Sequence, residues 1–459
     1  MSRQRIRDPL HNLIEFEMGS EFEHTLWRVI QTRPFQRLRR IKQLGFSDLV
    51  YPGATHSRLA HSVGVFHTAR RLMSVIKRST PRPEESKVHQ ALAAALVHDL
   101  GHGPFSHAFE AVGKRLKLKA ADHEFVSDVL IRDSEVSVAL QELGSGFAND
   151  VADIIKGVGK KNMYRALVSS QFDADRLDYM RRDRLMTGTQ HAAIDFEWLI
   201  ANLEVGSVTY GVDESSVGKV ETFVLGPKAV HAAEAYVLGL FQLYPTVYFH
   251  KATRGAEKLF TEVLSRLVEL AKNDQFAKTG LPSNHPLIRF AKYPEEPKNI
   301  LSLDDTVIWG ALSLMVDAED DIISSFSVRL RDRKMFRCVD IRVDLGQKHS
   351  GSAAAEIELD RKCTSIKKRL ETWSEDPKNA RKILIDEALR SPYKTVDESE
   401  GPLGRINIKD SSGNLVDLKS QSAVVNAVQP FKLFRVYLDR DDSETRRQLD
   451  GIIESETTK

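Results

Sequence analysis

Cysteine is almost missing from this chain, with only Cys338 and Cys363 in 459 residues and no Cys-x-x-Cys spacing. That excludes a disulfide framework and a thiolate zinc site, and it fits a reducing compartment. Net charge is nearly absent too. The 66 Lys and Arg against 64 Asp and Glu leave a formal +2, which excludes the global basic field of a dedicated nucleic-acid binder and makes any anion site a local one. No window approaches the run of about 18 apolar residues that crosses a membrane. The opening MSRQRIRDPLHNLIEF also lacks the apolar stretch of a signal peptide. A soluble, cytoplasmic protein is expected, without internal repeats or low-complexity tracts.

What is present is mostly helical period. At 41% hydrophobic residues the chain can bury a sizeable core, and its length calls for a large domain and a smaller one. In SRLAHSVGVFHTARRLMSVIKRS, Leu59, Val63, Phe66, Met73 and Ile76 make one apolar stripe. KVHQALAAALVHDLGHG is a helix stopped at Gly101, and SSQFDADRLDYMRRDRLMTG is a helix opened by serine caps. A fourth helix, from Val230 to about Lys272, should kink at Pro245. The proline-rich stretch 278–300 reads as a linker or surface excursion. Beyond it, SFSVRLRD, FRCVDIRVDL, GRINIKDSSGNLVDLK and FKLFRVYLD show strand-like alternation, with a hairpin turn at DSSGN and a helix from SAAAEIELDRKC onward. The tail GIIESETTK is expected to fray. The fold class is therefore mainly α, a helical bundle over residues 1–277 with a smaller α+β subdomain over 301–459.

The chemistry concentrates at HDLGHGPFSH, His98 to His107. His98 and Asp99 end an alanine-rich helix, where neighbouring side chains can both reach past its terminus. His61 lies on another helix, off its apolar stripe. Asp175, Tyr179 and Asp183 follow one another at steps of four on a third helix and share a face. Neutral imidazoles and carboxylates converging in this way are what a divalent transition ion requires. A lone His-Asp pair among 15 histidines carries little information, whereas the joint pattern carries much. Gly101 and Gly103 are read as letting the chain turn sharply after the first two ligands.

YPGATHSRLAHSVGV, HDLGHGPFSH and DADRLDYMRRD, with IRDPLHNLIEF and RPFQRLRRIKQLG ahead of them, resemble the HD-superfamily phosphohydrolases, specifically the dNTP triphosphohydrolase branch that includes the human SAM-and-HD-domain enzyme. The similarity runs over roughly residues 5–275. It implies an HD-domain bundle in which His61, His98, Asp99 and Asp175 bind the metal, with Fe, Mn, Zn and Ni all compatible, and Mg²⁺ accompanying the triphosphate. It implies that water attacks the α-phosphorus of a dNTP, giving deoxynucleoside and tripolyphosphate. His123, Glu110 and His102 match catalytic positions, and Glu110 carries one methylene more than the usual carboxylate there. Arg58, His102, His107 and Arg176 match phosphate contacts; Gln43, Leu44, Tyr179 and Asp183 match contacts to the sugar.

Several members of that branch are activated by nucleotides bound between subunits and form dimers or tetramers. Gln36 and Arg39 match two residues of the regulatory site, while Gln31 replaces the aspartate that reads guanine, which weighs against guanine-specific activation. A homo-oligomer with a nucleotide activator is thus implied. His56, His67, His89 and His191 show no partner pattern and are read as structural; for His250, Lys251 and Arg254 an approach to the substrate stays open beside the preferred structural or surface role. Two other functions share the same residues. One is an HD-type phosphodiesterase or 3′ exonuclease on single-stranded DNA, against which stands the lack of a basic or aromatic groove signature. The other is a non-catalytic nucleotide sensor or nucleic-acid-binding scaffold, against which stands the complete donor set.

Overall fold

The computed structural model describes residues 2–159, 161–210, 218–346, 352–391, 393 and 404–457. It is mainly helical, with small sheets and a small C-terminal α+β unit. An antiparallel hairpin, Arg3–Asp8 with Asn12–Glu17, opens the chain and lays Phe16 on Phe66 at 5.2 Å between ring centroids. The long helix Arg58–Ser79 packs against Glu85–Val97 on one side and Ala174–Thr187 on the other. Ser57 caps it through the backbone amide of Ala60. Helix Ala174–Thr187 is capped by Asp173, not by the upstream serines, because the carboxylate accepts from the Arg176 amide at 2.8 Å and from the Ser170 amide at 3.1 Å. At Pro245 the fourth helix breaks as expected, into Val230–Leu243, a wide turn at Tyr244–Tyr248, and Lys251–Lys272.

The proline-rich stretch is not a linker. It forms the helices Pro286–Lys292 and Pro297–Leu301, whose Leu287, Ile288, Phe290, Ala291 and Ile300 are buried in the main core. Proline sits at the first turn of each, where no amide is lost. SFSVRLRD is helical up to Arg331, in the helix Asp321–Arg331 with Asp332 as its C-terminal cap, because Ile323, Phe326 and Leu330 recur at helical steps and bury together. FRCVDIRVDL is a strand only over Arg337–Asp340; there Asp340 accepts from the Val343 amide and starts the helix Ile341–Gly346. The tail does not fray within the described residues, since Ser443–Thr457 is one helix with Ile452 buried; 458–459 lie outside them.

Strands Asn407–Lys409 and Leu415–Asp417, joined by the expected turn at 410–414, extend a four-stranded sheet begun by Leu203–Tyr210 and Gly218–Leu225. The chain thus returns to the main body late in its course. The small α+β unit is the antiparallel sheet of Arg337–Asp340, Phe431–Leu438 and Ile383–Arg390 under helices Ala353–Glu375 and Ser443–Thr457, with its own core around Ile366, Leu370 and Val436. Among the described residues no helix is long and apolar enough to cross a membrane.

Candidate active site

The helix Arg58–Ser79, packed against Glu85–Val97 and Ala174–Thr187, brings His61, His98 and Asp99 together, with Asp175 beside them. His61 lies in the first turn of Arg58–Ser79, His98 and Asp99 just past Val97, and Asp175 in the first turn of Ala174–Thr187. His61 Nε2 is 2.9 Å from Asp175 Oδ1 and 3.8 Å from Asp99 Oδ2. His98 Nε2 is 3.3 Å from Asp99 Oδ1 and 3.7 Å from Asp175 Oδ1.

The second nitrogen of each imidazole is committed elsewhere, which fixes the tautomer. His98 donates Nδ1–H to the Ala95 carbonyl at 3.0 Å, and His61 donates Nδ1–H to Asp178 Oδ2 at 2.9 Å. His98 Nε2 is buried, faces the cluster and has no hydrogen-bond partner. A buried lone pair left over in this way is what a metal ligand looks like without its ion. The local charges favour a cation as well. Burial opposes charge on Asp175 and His61 alike, yet their mutual contact, with His98 and Asp178 beside them, holds Asp175 below the carboxylate range and lifts His61 to about 10. Two imidazoles and two carboxylates fit a divalent transition ion.

A second layer of histidines stands beside the first. His102 Nε2 is 3.3 Å from Asp99 Oδ1, and its ring stacks on His123 with centroids 4.0 Å apart. His123 donates Nδ1–H to Glu110 Oε1 at 2.6 Å, and the exposed His107 reaches the other Glu110 oxygen at 3.3 Å. Burial, with Arg58 and His123 next, keeps His102 neutral well below the usual imidazole range. Burial also presses His123 down, but the Glu110 carboxylate outweighs it and the net shift is upward. One ring is therefore kept neutral and the other is helped to carry a proton.

The turn between His98 and His107 is not made by its glycines. The residues at positive φ are Phe105 and Ser106, at φ 54° and 55°. Gly101 is required by close approach, since a Cβ there would lie 2.1 Å from the His123 carbonyl oxygen.

A cavity of about 370 Å³ opens beside the cluster, and its lining includes Gln43, Leu44, Arg58, His107, Asp175, Arg176, Tyr179 and Asp183. Seven residues matched to phosphate or sugar thus face one space, whereas His102, also matched to a phosphate contact, and the pair Glu110 and His123 are not in its lining. Within it, Arg58 donates Nε–H to Ser106 Oγ at 2.8 Å and also pairs with Asp99; Arg176 pairs with Asp173 at 2.9 Å. Gln43 Oε1 is buried without a partner. Each oxygen of Asp183 already has a donor, Oδ1 from His56 Nε2 at 2.8 Å and Oδ2 from the Tyr248 hydroxyl at 2.9 Å. Gln36 and Arg39 do not line the cavity; the Gln36 amide donates to the Ile30 carbonyl, and Arg39 Nε donates to Gln36 Oε1 at 2.7 Å.

Sequence reasoning missed several residues here. His56, read as structural, holds Asp183. Tyr244, Tyr248, Phe249 and Arg254 line the cavity, with Arg254 tied to Asp386 and Glu257. The largest omission is a buried ionic knot behind His61. Asp178 accepts from His61, from His11 Nε2 at 2.6 Å and from Arg182 Nε at 2.7 Å, and Arg182 Nη1 donates to Asp8 Oδ2 at 2.8 Å. A Cβ at Gly64 would sit 2.1 Å from Arg182 Nη2, so that glycine makes room for the knot. Asp178 and Arg182 stand at i and i+4, the spacing of a helical ion pair, and this was the available signal.

Residues 58–183 match the HD domain family, and 214–280 match the HD associated region. The uncharacterized protein YwfO of Bacillus subtilis is 32% identical over 432 residues, covering 93% of this chain and 90% of that protein. A deoxynucleoside triphosphate triphosphohydrolase SAMHD1 homolog of Dictyostelium discoideum is 27% identical over 322 residues, 68% of this chain and 56% of that protein. A crystal structure of a phosphohydrolase from Bacteroides thetaiotaomicron superposes with a TM-score of 0.71 at 25% identity, covering 96% of this chain and 100% of that one.

Proposed function

We propose, because the chain belongs to the HD-domain phosphohydrolases and within them to the branch of the dNTP triphosphohydrolases, that it cleaves a deoxynucleoside triphosphate at the α-phosphorus and releases deoxynucleoside and tripolyphosphate. The observation carrying this reading is the continuity of the site: Asp175 stands 2.9 Å and 3.7 Å from the two imidazoles of the His61, His98 and Asp99 cluster and also belongs to the wall of the cavity that Arg58, Arg176, Gln43 and Tyr179 line.

A divalent transition ion held by His61, His98, Asp99 and Asp175 supplies, when bound, an activated water and charge neutralisation at the phosphate. Arg58 and Arg176 offer planar forks of N–H donors to non-bridging oxygens. The exposed His107 stands at the mouth for the outer phosphates, which Mg²⁺ accompanies. At the other end Gln43, with a free acceptor, reads the 3′-hydroxyl, while Leu44 and Tyr179 pack against C2′ and exclude the ribose hydroxyl by contact. His123, oriented by Glu110, protonates the departing 5′ oxygen, and neutral His102 hydrogen-bonds without adding charge. The protein is read as a homo-oligomer with a nucleotide activator, Gln36 and Arg39 being the residues toward it.

The test is product separation. Purified protein loaded with Mn²⁺ and given each dNTP in turn yields nucleoside and tripolyphosphate and leaves a labelled single-stranded oligonucleotide intact. Nucleoside monophosphate with pyrophosphate rejects the assigned bond, and oligonucleotide cleavage in its place favours the exonuclease.

The acid role has its own expected outcome. His123 has a raised pKa, so its proton is present below that value and lost as pH rises through it, and turnover declines on the alkaline side. Glu110→Gln removes the carboxylate behind the ring. The alkaline limb of kcat against pH then moves to lower pH at unchanged metal content. A limb that stays put assigns the proton to another group.

A further inference from the structure

We propose that Asp305 is a positioning residue of this site: its buried carboxylate ties the loop that carries Gln43 to the turn that carries Ser106 and His107, and so fixes the sugar end of the cavity against its phosphate end. The inference rests on the proposed reaction for its substrate and on geometry for the tie itself.

Asp305 is the first residue of helix Asp305–Met315 and is 2% exposed. Its Oδ1 accepts from the Phe105 amide at 2.8 Å and its Oδ2 from the Lys42 amide at 2.9 Å. These partners are 200 and 263 residues away in sequence and belong to different loops. Two converging N–H donors call for a group with two acceptor oxygens and no donor, which a carboxylate is and an amide is not. The helix itself has no use for this side chain. Asp304 caps it, through the amides of Thr306 and Val307, and takes Arg40 as well.

From those amides the tie reaches the substrate space in one step on each side. Lys42 is bonded into a β-bridge with Ser57 and is followed by Gln43, whose unpartnered oxygen is at the sugar end. Phe105 is followed by Ser106, whose hydroxyl donates to the Lys42 carbonyl at 3.2 Å and accepts from Arg58 at the phosphate end. Phe105 and Ser106 both hold a positive φ, disfavoured for residues with a Cβ, and a fixed acceptor on the Phe105 amide opposes their relaxation. The Phe105 ring lies on Phe46 at 3.9 Å, so the loops are also packed together. Burial pushes Asp305 up to about 6 despite the two amides, and such a disfavoured charge is retained where geometry demands it.

The experiment compares wild type, Asp305→Asn and Asp320→Asn by amide hydrogen exchange with mass spectrometry and by steady-state kinetics on the four dNTPs. Asp320 caps the helix Asp321–Arg331 and bonds Arg266, away from the cavity, and serves as the control for lost stability. In the wild type the Lys42 and Phe105 amides exchange slowly. In Asp305→Asn the segments around both exchange at least about tenfold faster, the scale of one charge-assisted hydrogen bond, and KM rises by a similar factor at unchanged manganese content. Asp320→Asn shows neither change.

Fast exchange of either amide in the wild type overturns the tie without any variant. Faster exchange in Asp305→Asn at wild-type KM and kcat reduces Asp305 to a structural role and overturns its positioning role. A rise of KM in both variants does the same, by tracing the effect to general loosening. Lack of dNTP turnover by the wild type defeats the reaction, while exchange still judges the tie.

Discussion

Asp175→Ala is expected to strip the metal and lower turnover at least about 10³-fold, ~4 kcal/mol of transition-state stabilisation. The size follows from how the four donors share their work. Asp175 Oδ1 is the one oxygen facing both imidazole donors, at 2.9 Å and 3.7 Å. Asp99, the other carboxylate, is already committed, since Arg58 pairs with one of its oxygens and His102 stands 3.3 Å from the other. Removing Asp175 therefore leaves a site whose remaining negative charge is largely neutralised from within, and a cation loses its main attraction. It also removes a wall of the cavity, so binding and chemistry fail together. Elemental analysis of the Mn²⁺-loaded variant, beside kcat on a dNTP, checks this. Stoichiometric metal in Asp175→Ala would take that residue out of the coordination sphere, and unchanged turnover would take the cluster out of the chemistry.

The four proposed metal donors lie at helix termini, and that is why sequence could bring them together. His98 and Asp99 follow an alanine-rich helix, and Asp175 begins one, so local pattern alone shows that their side chains project from a terminus. The strand-like reading of SFSVRLRD failed because alternation over four or five positions cannot be told from helical period in a fully packed segment. The linker reading of 278–300 failed for a related reason. Prolines there open helices instead of interrupting them, and only tertiary burial of Phe290 and Ile300 distinguishes the two. Asp305 could not be found at all, because its partners are backbone amides in loops 200 and 263 residues away, and no side-chain pattern records a backbone donor. Asp178 and Arg182 were visible only as an i, i+4 spacing, which by itself carries no function. Their meaning depends on burial, which the surrounding Arg, Asp and Tyr residues conceal.

That burial sets the largest stability effect. Arg182 is fully buried and holds two buried carboxylates, Asp178 and Asp8, while Asp8 also accepts from the Leu10 and His11 amides and shapes the N-terminal hairpin turn. A buried pair adds little beyond an apolar replacement of both partners, but removing one partner strands the other. Arg182→Met is therefore expected to destabilise the protein by ~3–5 kcal/mol, and Asp8→Ala by less, since Arg182 keeps Asp178. The pH dependence gives the sign. Burial opposes charge on Asp178, but Arg182, with His11 and His61 after it, holds its carboxyl well below the usual range, so its contribution is present above the unfolded carboxylate pKa and lost as pH falls through the folded one. In Arg182→Met that contribution disappears, and stability from denaturant unfolding declines less steeply between neutral pH and the acid range than in the wild type. The same variant weakens metal affinity by about 10–100-fold, because an Asp178 that takes up a proton no longer fixes the tautomer of His61. Loss of stability with metal affinity untouched would separate the knot from the metal centre and make it a clamp for the hairpin alone; loss of neither would mean that Arg182 finds its charge solvated, and that the burial of this knot does not hold.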